Sequence, residues 1–203
     1  MSLRAGIDAE LRKLASMSPS GYYLALHIRY ATPLLAFQTY PQEWVDHYTE
    51  QAYALRDPTV AWGFSVSGAA RWSEITIPDP FGIFAQAADY GLKYGVIVSC
   101  GPIASRTIAG SARSDREFED DEIDAIRELI ERVHVITQPP DNLTHAQIEA
   151  LKLVAAGDRY SAAAAKLGIS ESALKARLNS ARQTLLARTT AEAVQRAKDY
   201  RLI

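Results

Sequence analysis

Cysteine is almost missing from this 203-residue chain, where Cys100 stands alone. An intrachain disulfide framework is therefore excluded, and a reducing, cytoplasmic setting is expected. Long apolar runs are missing as well. No stretch approaches the ~20 residues needed to span a bilayer. The opening Met1-Ser2-Leu3-Arg4 leads into Ala5-Gly6-Ile7-Asp8 rather than an apolar signal core. A soluble protein with no membrane partner is expected. Catalytic signatures are absent too: there is no nucleophile elbow, no metal-spaced His pair and no Gly-rich phosphate loop. His27, His47, His134 and His145 are scattered. The chemistry reads as binding, with no enzyme activity, metal or resident cofactor expected. There is no internal repeat and no low-complexity segment.

What is present divides unevenly. Hydrophobic residues make up 48% of the chain and charged residues 23%, enough for real cores. The net charge of -2 hides an asymmetry. Residues 1–141 carry 12 Lys+Arg against 19 Asp+Glu, a net of -7, whereas residues 142–203 carry 10 against 5, a net of +5. On charge alone the basic tail is either a solvated helical domain or a surface for a polyanion. The boundary falls at Gln138-Pro139-Pro140-Asp141-Asn142, because two prolines remove two backbone donors and stop the preceding helix. The chain thus reads as a domain over residues 1–137, a linker over residues 138–142 and a second domain over residues 143–203.

The first domain mixes helix and strand. A short amphipathic helix is predicted over residues 7–14. Strands are predicted over residues 22–30, 34–40, 96–99 and 106–112, with helices starting after Pro41 and over residues 60–64 and 83–90. A final helix begins near Phe118, where Glu119-Asp120-Asp121-Glu122 suit the positive end of a helix dipole. That acidic run reads as a solvated helix start rather than a metal site. The elements describe an α+β fold, an α-β-α sandwich around an antiparallel sheet, followed by a small all-α domain.

Within the first domain, Trp44, Tyr48 and Ala52 fall roughly one turn apart on the helix after Pro41, with Tyr40 just before it and Asp57-Pro58 and Trp72 beyond. Pro58 forces Asp57 into extended backbone. A carboxylate among rings is costly unless donors satisfy it. Tyr and Trp supply flat apolar walls, each with a single O–H or N–H. The set suits a ligand with an apolar body and a few amide or carbonyl groups.

In the second domain, Thr144 and Gln147 form a capping box at a helix start. Gly157 ends that helix, residues 161–167 form the next, Gly168 and Ile169 make a tight turn, and Ser170 caps a third. Leu174, Leu178, Ala181 and Leu185 share one face of the third helix. Ser172, Lys175, Ala176, Asn179, Arg182 and Gln183 share the other, an outward polar face of the kind a recognition helix lays in a major groove.

At these residues the chain resembles the LuxR family of quorum-sensing transcription factors, which bind acyl-homoserine lactones and regulate promoters. Tyr40, Trp44, Tyr48, Asp57, Pro58 and Trp72 match the family's spacing, and Gly91-Leu92-Lys93-Tyr94-Gly95 matches its Gly-Leu-x-x-Gly segment. The resemblance implies that Trp44 donates to a lactone carbonyl, Asp57 accepts an amide N–H and Tyr40 bonds the acyl carbonyl. Tyr48 and Trp72 would wall the ligand, and Ser111 would assist near the amide. It also implies a helix-turn-helix in which Lys175 and Asn179 reach bases, while Arg159, Ser161, Arg177 and Arg182 meet phosphates of double-stranded DNA. The last helix is similar to one that serves in the family as a dimer contact, so a homodimer is expected. Departures are Gln147 for the usual Glu, Arg177 where His is frequent, Ser99 where Pro is common, an all-alanine Ala162-Ala163-Ala164-Ala165 and a shorter stretch between Trp72 and Gly95. Two other readings stand beside it: a solo regulator of this fold reading a foreign or non-lactone molecule, and a small amide or lactone hydrolase.

Overall fold

The computed structural model describes residues 3–29, 32–138, 143–200 and 202–203. The chain forms two compact units that part between Gln138 and Pro139. Four of the five residues read as linker, 139–142, lie outside the described residues.

The first unit is built on a five-stranded antiparallel sheet of order β2-β1-β5-β4-β3. The strands are β1 (Gly21–Ile28), β2 (Leu35–Gln38), β3 (Gly68–Arg71), β4 (Tyr94–Cys100) and β5 (Arg106–Arg113). Both faces are covered, so β1 and β5 are buried almost throughout. Helices α1 (Leu3–Met17) and α5 (Asp120–Thr137) pack one face through Leu14, Leu24, Leu26, Val98, Phe118 and Ile130, among others. Each such fully buried aliphatic side chain contributes roughly 1.5–3 kcal/mol. Helices α2 (Gln42–Glu50), α3 (Pro58–Ser65) and α4 (Ile83–Asp89) belong to the other face, where Trp44, Trp62, Ile83, Ile97, Ile108 and Ala112 pack.

Strand β3 is absent from the sequence-based expectation for a physical reason. Gly68-Ala69-Ala70-Arg71 has no β-branched or aromatic residue, and it is extended only because β4 pairs with it. Helix α2 stops at Glu50, and Ala52 turns left-handed with φ +52°, so Ala52 does not continue the Trp44–Tyr48 face.

Register stacks side chains across the sheet in rows. On the face turned toward α2, α3 and α4, Gly95 and Ala112 make one row. Tyr23, Gly110, Ile97 and Ala70 make the next, and Ala25, Ile108, Ser99 and Gly68 the third. Beyond Ala25 the register of β1 against β5 shifts, and His27 takes φ +52°. Such a bulge re-aims a side chain. Here Leu26 and His27 both meet α5: Leu26 joins the α5-side core, and the His27 ring stacks on His134 at 4.4 Å. His27 Nε2 is 3.0 Å from Thr137 Oγ1, and Nδ1 is 2.8 Å from Ser105 Oγ. Thr137 donates its own proton to the Val133 carbonyl at 2.6 Å, so its oxygen accepts from His27 Nε2–H. Burial, then the neighbouring His134, lowers the His27 pKa to about 4.

The second unit contains α6 (His145–Ala155), α7 (Tyr160–Lys166), α8 (Glu171–Thr184) and α9 (Thr190–Asp199). They close on Leu151, Ala164, Leu174, Leu178, Leu185 and Ala193. Thr144, Ser170 and Thr189 cap α6, α8 and α9 with side-chain oxygens, each satisfying an open backbone N–H. Gly168, at φ +64°, makes the left-handed turn between α7 and α8.

Candidate ligand site and helical surface

Helix α2 starts after Pro41, with no side-chain cap bond, and presents Trp44 inward. The Trp44 ring is buried, with ring centres 5.6 Å from Tyr48 and 5.5 Å from Tyr90. These separations suit edge and tilted packing of aromatic quadrupoles. Asp57 is extended at φ -70°, ψ 121° and caps α3, with Pro58 in the first turn, where its fixed φ fits. Its Oδ1 accepts from the backbone N–H and the hydroxyl of Thr59, each at 2.7 Å, and its Oδ2 accepts from Tyr48 Oη at 2.8 Å. Three donors on a carboxylate with about four acceptor positions leave one for a further N–H.

Burial raises the Asp57 pKa, and the bonds from Thr59 and Tyr48 oppose that rise. Burial also raises the phenols of Tyr40 and Tyr48, and the nearby Asp57 charge raises them further. Both therefore stay neutral O–H groups able to donate.

Two glycines let rings lie on the sheet. A Cβ at Gly95 would collide with the Trp72 ring, and one at Gly110 would stand 2.9 Å from Tyr40 Oη. Trp72 begins a tight 3-10 turn, Trp72–Glu74. Arg71 anchors it with bonds to Glu74, to Asp120 and to the Phe118 carbonyl. The Trp72 indole nitrogen is shielded from solvent and has no hydrogen-bond partner among the described residues.

Tyr40, Trp44, Tyr48 and Trp72 share one cluster, and Asp57 joins it through Tyr48. Ser111 does not belong to it. Its register partners are Tyr22 and Val96, which belong to the core against α1 and α5. Ser111 therefore points to the opposite face of the sheet, and its expected place near a ligand amide is corrected. The period of two in a strand decides the face, and the neighbouring Gly110 is the residue turned toward Tyr40.

Sequence reasoning left out His47, Tyr53 and Gln86. Gln86 Oε1 accepts from Tyr53 Oη at 2.8 Å and lies 2.8 Å from His47 Nε2. Its amide nitrogen donates to the Phe81 carbonyl at 2.8 Å. The network ties α2 to α4 behind Trp44. The available signal was His47 at three residues from Trp44, on the same helical face.

In the second unit, Arg159, Ser161, Lys175 and Asn179 are exposed, while Arg177 and Arg182 are half-buried. Leu174, Leu178, Ala181 and Leu185 are buried on the other side of α8. Lys175 pairs with Glu171 at 2.7 Å, an exposed contact that water screens and that releases the ammonium readily. Gln147 closes the capping box with Thr144 and also donates from Nε2 to Ser180 Oγ at 2.9 Å. A glutamate at that position would have no N–H for this second bond.

The profile of the autoinducer binding domain family matches residues 20–138. The transcriptional activator protein SolR of Ralstonia nicotianae is 32% identical over 76 residues, 37% of this chain but only 32% of that protein. The HTH-type quorum-sensing regulator RhlR of Pseudomonas aeruginosa is 26% identical over 186 residues, 82% of this chain and 77% of its own length. These relatives are transcriptional regulators, not enzymes. The structure of SdiA in complex with octanoyl-rac-glycerol is similar in fold, with a TM-score of 0.53 at 18% identity, covering 98% of this chain and 88% of SdiA. Among the described residues no helix is long and apolar enough to cross a membrane.

Proposed function

Because the chain belongs to the autoinducer binding domain family of LuxR-type regulators, we propose that it is a DNA-binding transcription regulator controlled by an acyl-homoserine lactone. One observation carries the reading: a partly buried Asp57 carboxylate, held by Tyr48 and Thr59 beside an aromatic wall, with one acceptor position left. An acyl-homoserine lactone offers the complementary groups, an amide N–H beside two carbonyls. Asp57 accepts the amide proton, Trp44 donates to the lactone carbonyl and Tyr40 to the acyl carbonyl. Tyr48 and Trp72 wall the ligand. The basic second unit reads double-stranded DNA as a helix-turn-helix of α7 and α8. Lys175 and Asn179 meet base edges, and Arg159, Ser161, Arg177 and Arg182 meet phosphates. The chain works in the cytoplasm as a homodimer.

A second reading, a solo regulator for a non-lactone amphiphile, draws on the octanoyl-rac-glycerol in the SdiA structure. Thermal unfolding of the full chain with a panel of lactones and acylglycerols separates the two. A ligand that binds the folded state adds roughly 2.7 kcal/mol at a hundredfold excess over Kd. Stabilisation by lactones is the expected result. Stabilisation by acylglycerols alone would transfer the site to the second reading.

A further inference from the structure

We infer that a clamp of Gly63, Ser99 and Ile108 closes the ligand chamber to long acyl chains, making this a receptor for short-chain lactones. The inference rests on the lactone reading and names the ligand class within it. The polar tips gather around Tyr40, Trp44, Tyr48 and Asp57. The adjoining cluster has an aliphatic centre, Ala25, Ile28, Ile97 and Ile108, bordered by Tyr23, Trp62, Ala70 and Ile75. Trp72 packs against both clusters. A ligand with its head in the first lays its acyl chain in the second.

That second cluster is bounded by α3. Ile108 lies flat on the backbone of α3, so a Cβ at Gly63 would stand 2.8 Å from Ile108 Cδ1 and 3.0 Å from Cγ1 and Cγ2. Ser99, the cross-strand partner of Ile108, donates its hydroxyl to the Gly63 carbonyl at 2.6 Å. This carbonyl lies in the last turn of α3, where helical partners run out. One cross-strand pair therefore grips the helix twice, by close packing and by a buried hydrogen bond. No gap for a methylene chain is left between α3 and β5 at this row. The sealed row is two residues along β5 from Gly110, over which the Tyr40 hydroxyl sits, a distance of roughly 7 Å. A butanoyl or hexanoyl chain fits that span, and a dodecanoyl chain does not.

The test is binding of butanoyl-, hexanoyl-, octanoyl- and dodecanoyl-homoserine lactone to the full chain, read by tryptophan fluorescence. Wild type, Ile108→Ala and Ser99→Ala are compared, with ligand-free melting temperatures as the control for folding. Wild type is expected to bind hexanoyl at least about tenfold tighter than dodecanoyl, and Ile108→Ala to shift that ratio toward the long chain by a similar factor. Ser99→Ala should shift it the same way by less, and keeps the test decisive if Ile108→Ala does not fold. Equal affinity across the series in wild type, or a uniform loss at every length in the folded variants, overturns the clamp while leaving the lactone reading intact. No binding of any lactone by the folded chain overturns the lactone reading, and the clamp with it.

Discussion

The two units handle polar chemistry in opposite ways. In the first, the groups that matter are drawn inward: Asp57 is held by three donors, the phenols of Tyr40 and Tyr48 are kept neutral by burial, and the Trp72 N–H is shielded, with no partner among the described residues. In the second, apolar faces close the core and Ser161, Lys175 and Asn179 stand in solvent. An interior site gains strength per contact because each polar group there has lost water. An exterior site gains by the number of charges facing a polyanion. The difference predicts different failures: loss of one interior group should be decisive, and loss of one exterior charge graded.

The largest expected effect concerns stability of the first unit in acid. His27 keeps its folded pKa at about 4 against an ordinary 6.5, so the unfolded chain binds the proton more readily. Stability is then full above about pH 6.5 and falls as pH drops toward about 4, by roughly 3 kcal/mol in total. All three tryptophans, Trp44, Trp62 and Trp72, lie in the first unit, so their fluorescence follows its urea unfolding within the full chain. His27→Asn, chosen because Asn tolerates the left-handed φ, should flatten the pH dependence. A slope as steep as wild type would remove His27 from the explanation.

Next in size is Asp57→Ala, which should weaken lactone binding by ~1.5–3 kcal/mol, roughly ten- to a hundredfold, since a charge-assisted bond is lost and a ligand donor is left unpaired. An unchanged Kd in a fluorescence titration would show that the interior carboxylate does not meet the ligand.

On the exterior, Lys175→Ala should cost about 1–3 kcal/mol on the preferred duplex and blur one base pair. Arg182→Ala should instead weaken all sequences alike and flatten the salt dependence by about one unit of log–log slope. Competition titrations against specific and scrambled duplexes at several salt concentrations distinguish the two. Identical losses for both variants on both duplexes would reduce α8 to a merely basic surface.

The smallest effect expected is that of Gln147→Glu. A carboxylate can still accept from the Thr144 N–H but cannot donate to Ser180, so a loss of ~0.5–1.5 kcal/mol is expected. Circular dichroism melting of the full chain, compared with the tryptophan signal, assigns any change to the second unit. A melting curve identical to wild type would mean the Gln147–Ser180 bond adds nothing.

The same contrast explains what could be read beforehand. In α8 the helical period alone separates Leu174, Leu178 and Ala181 from Lys175 and Asn179, and no distant partner is needed. Tyr40, Trp44, Tyr48 and Asp57 were legible through their spacing and through Pro58, both local. Ser111 was misplaced because its face depends on register against Tyr22 and Val96, set by strands far away in sequence. Residues Gly68–Arg71 became a strand only by pairing with β4. The grip of Ser99 and Ile108 on Gly63 joins three elements with no local signature.

If the interior site and the basic helical surface act as one regulator, lactone binding changes the affinity for DNA. The decisive quantity is the DNA dissociation constant of the full chain, measured with and without saturating lactone, for wild type and Asp57→Ala. A change of about fivefold or more is expected in wild type, in whichever direction the coupling runs. A much smaller change is expected in Asp57→Ala at the same lactone concentration. The same DNA affinity with and without bound lactone in wild type would contradict that coupling.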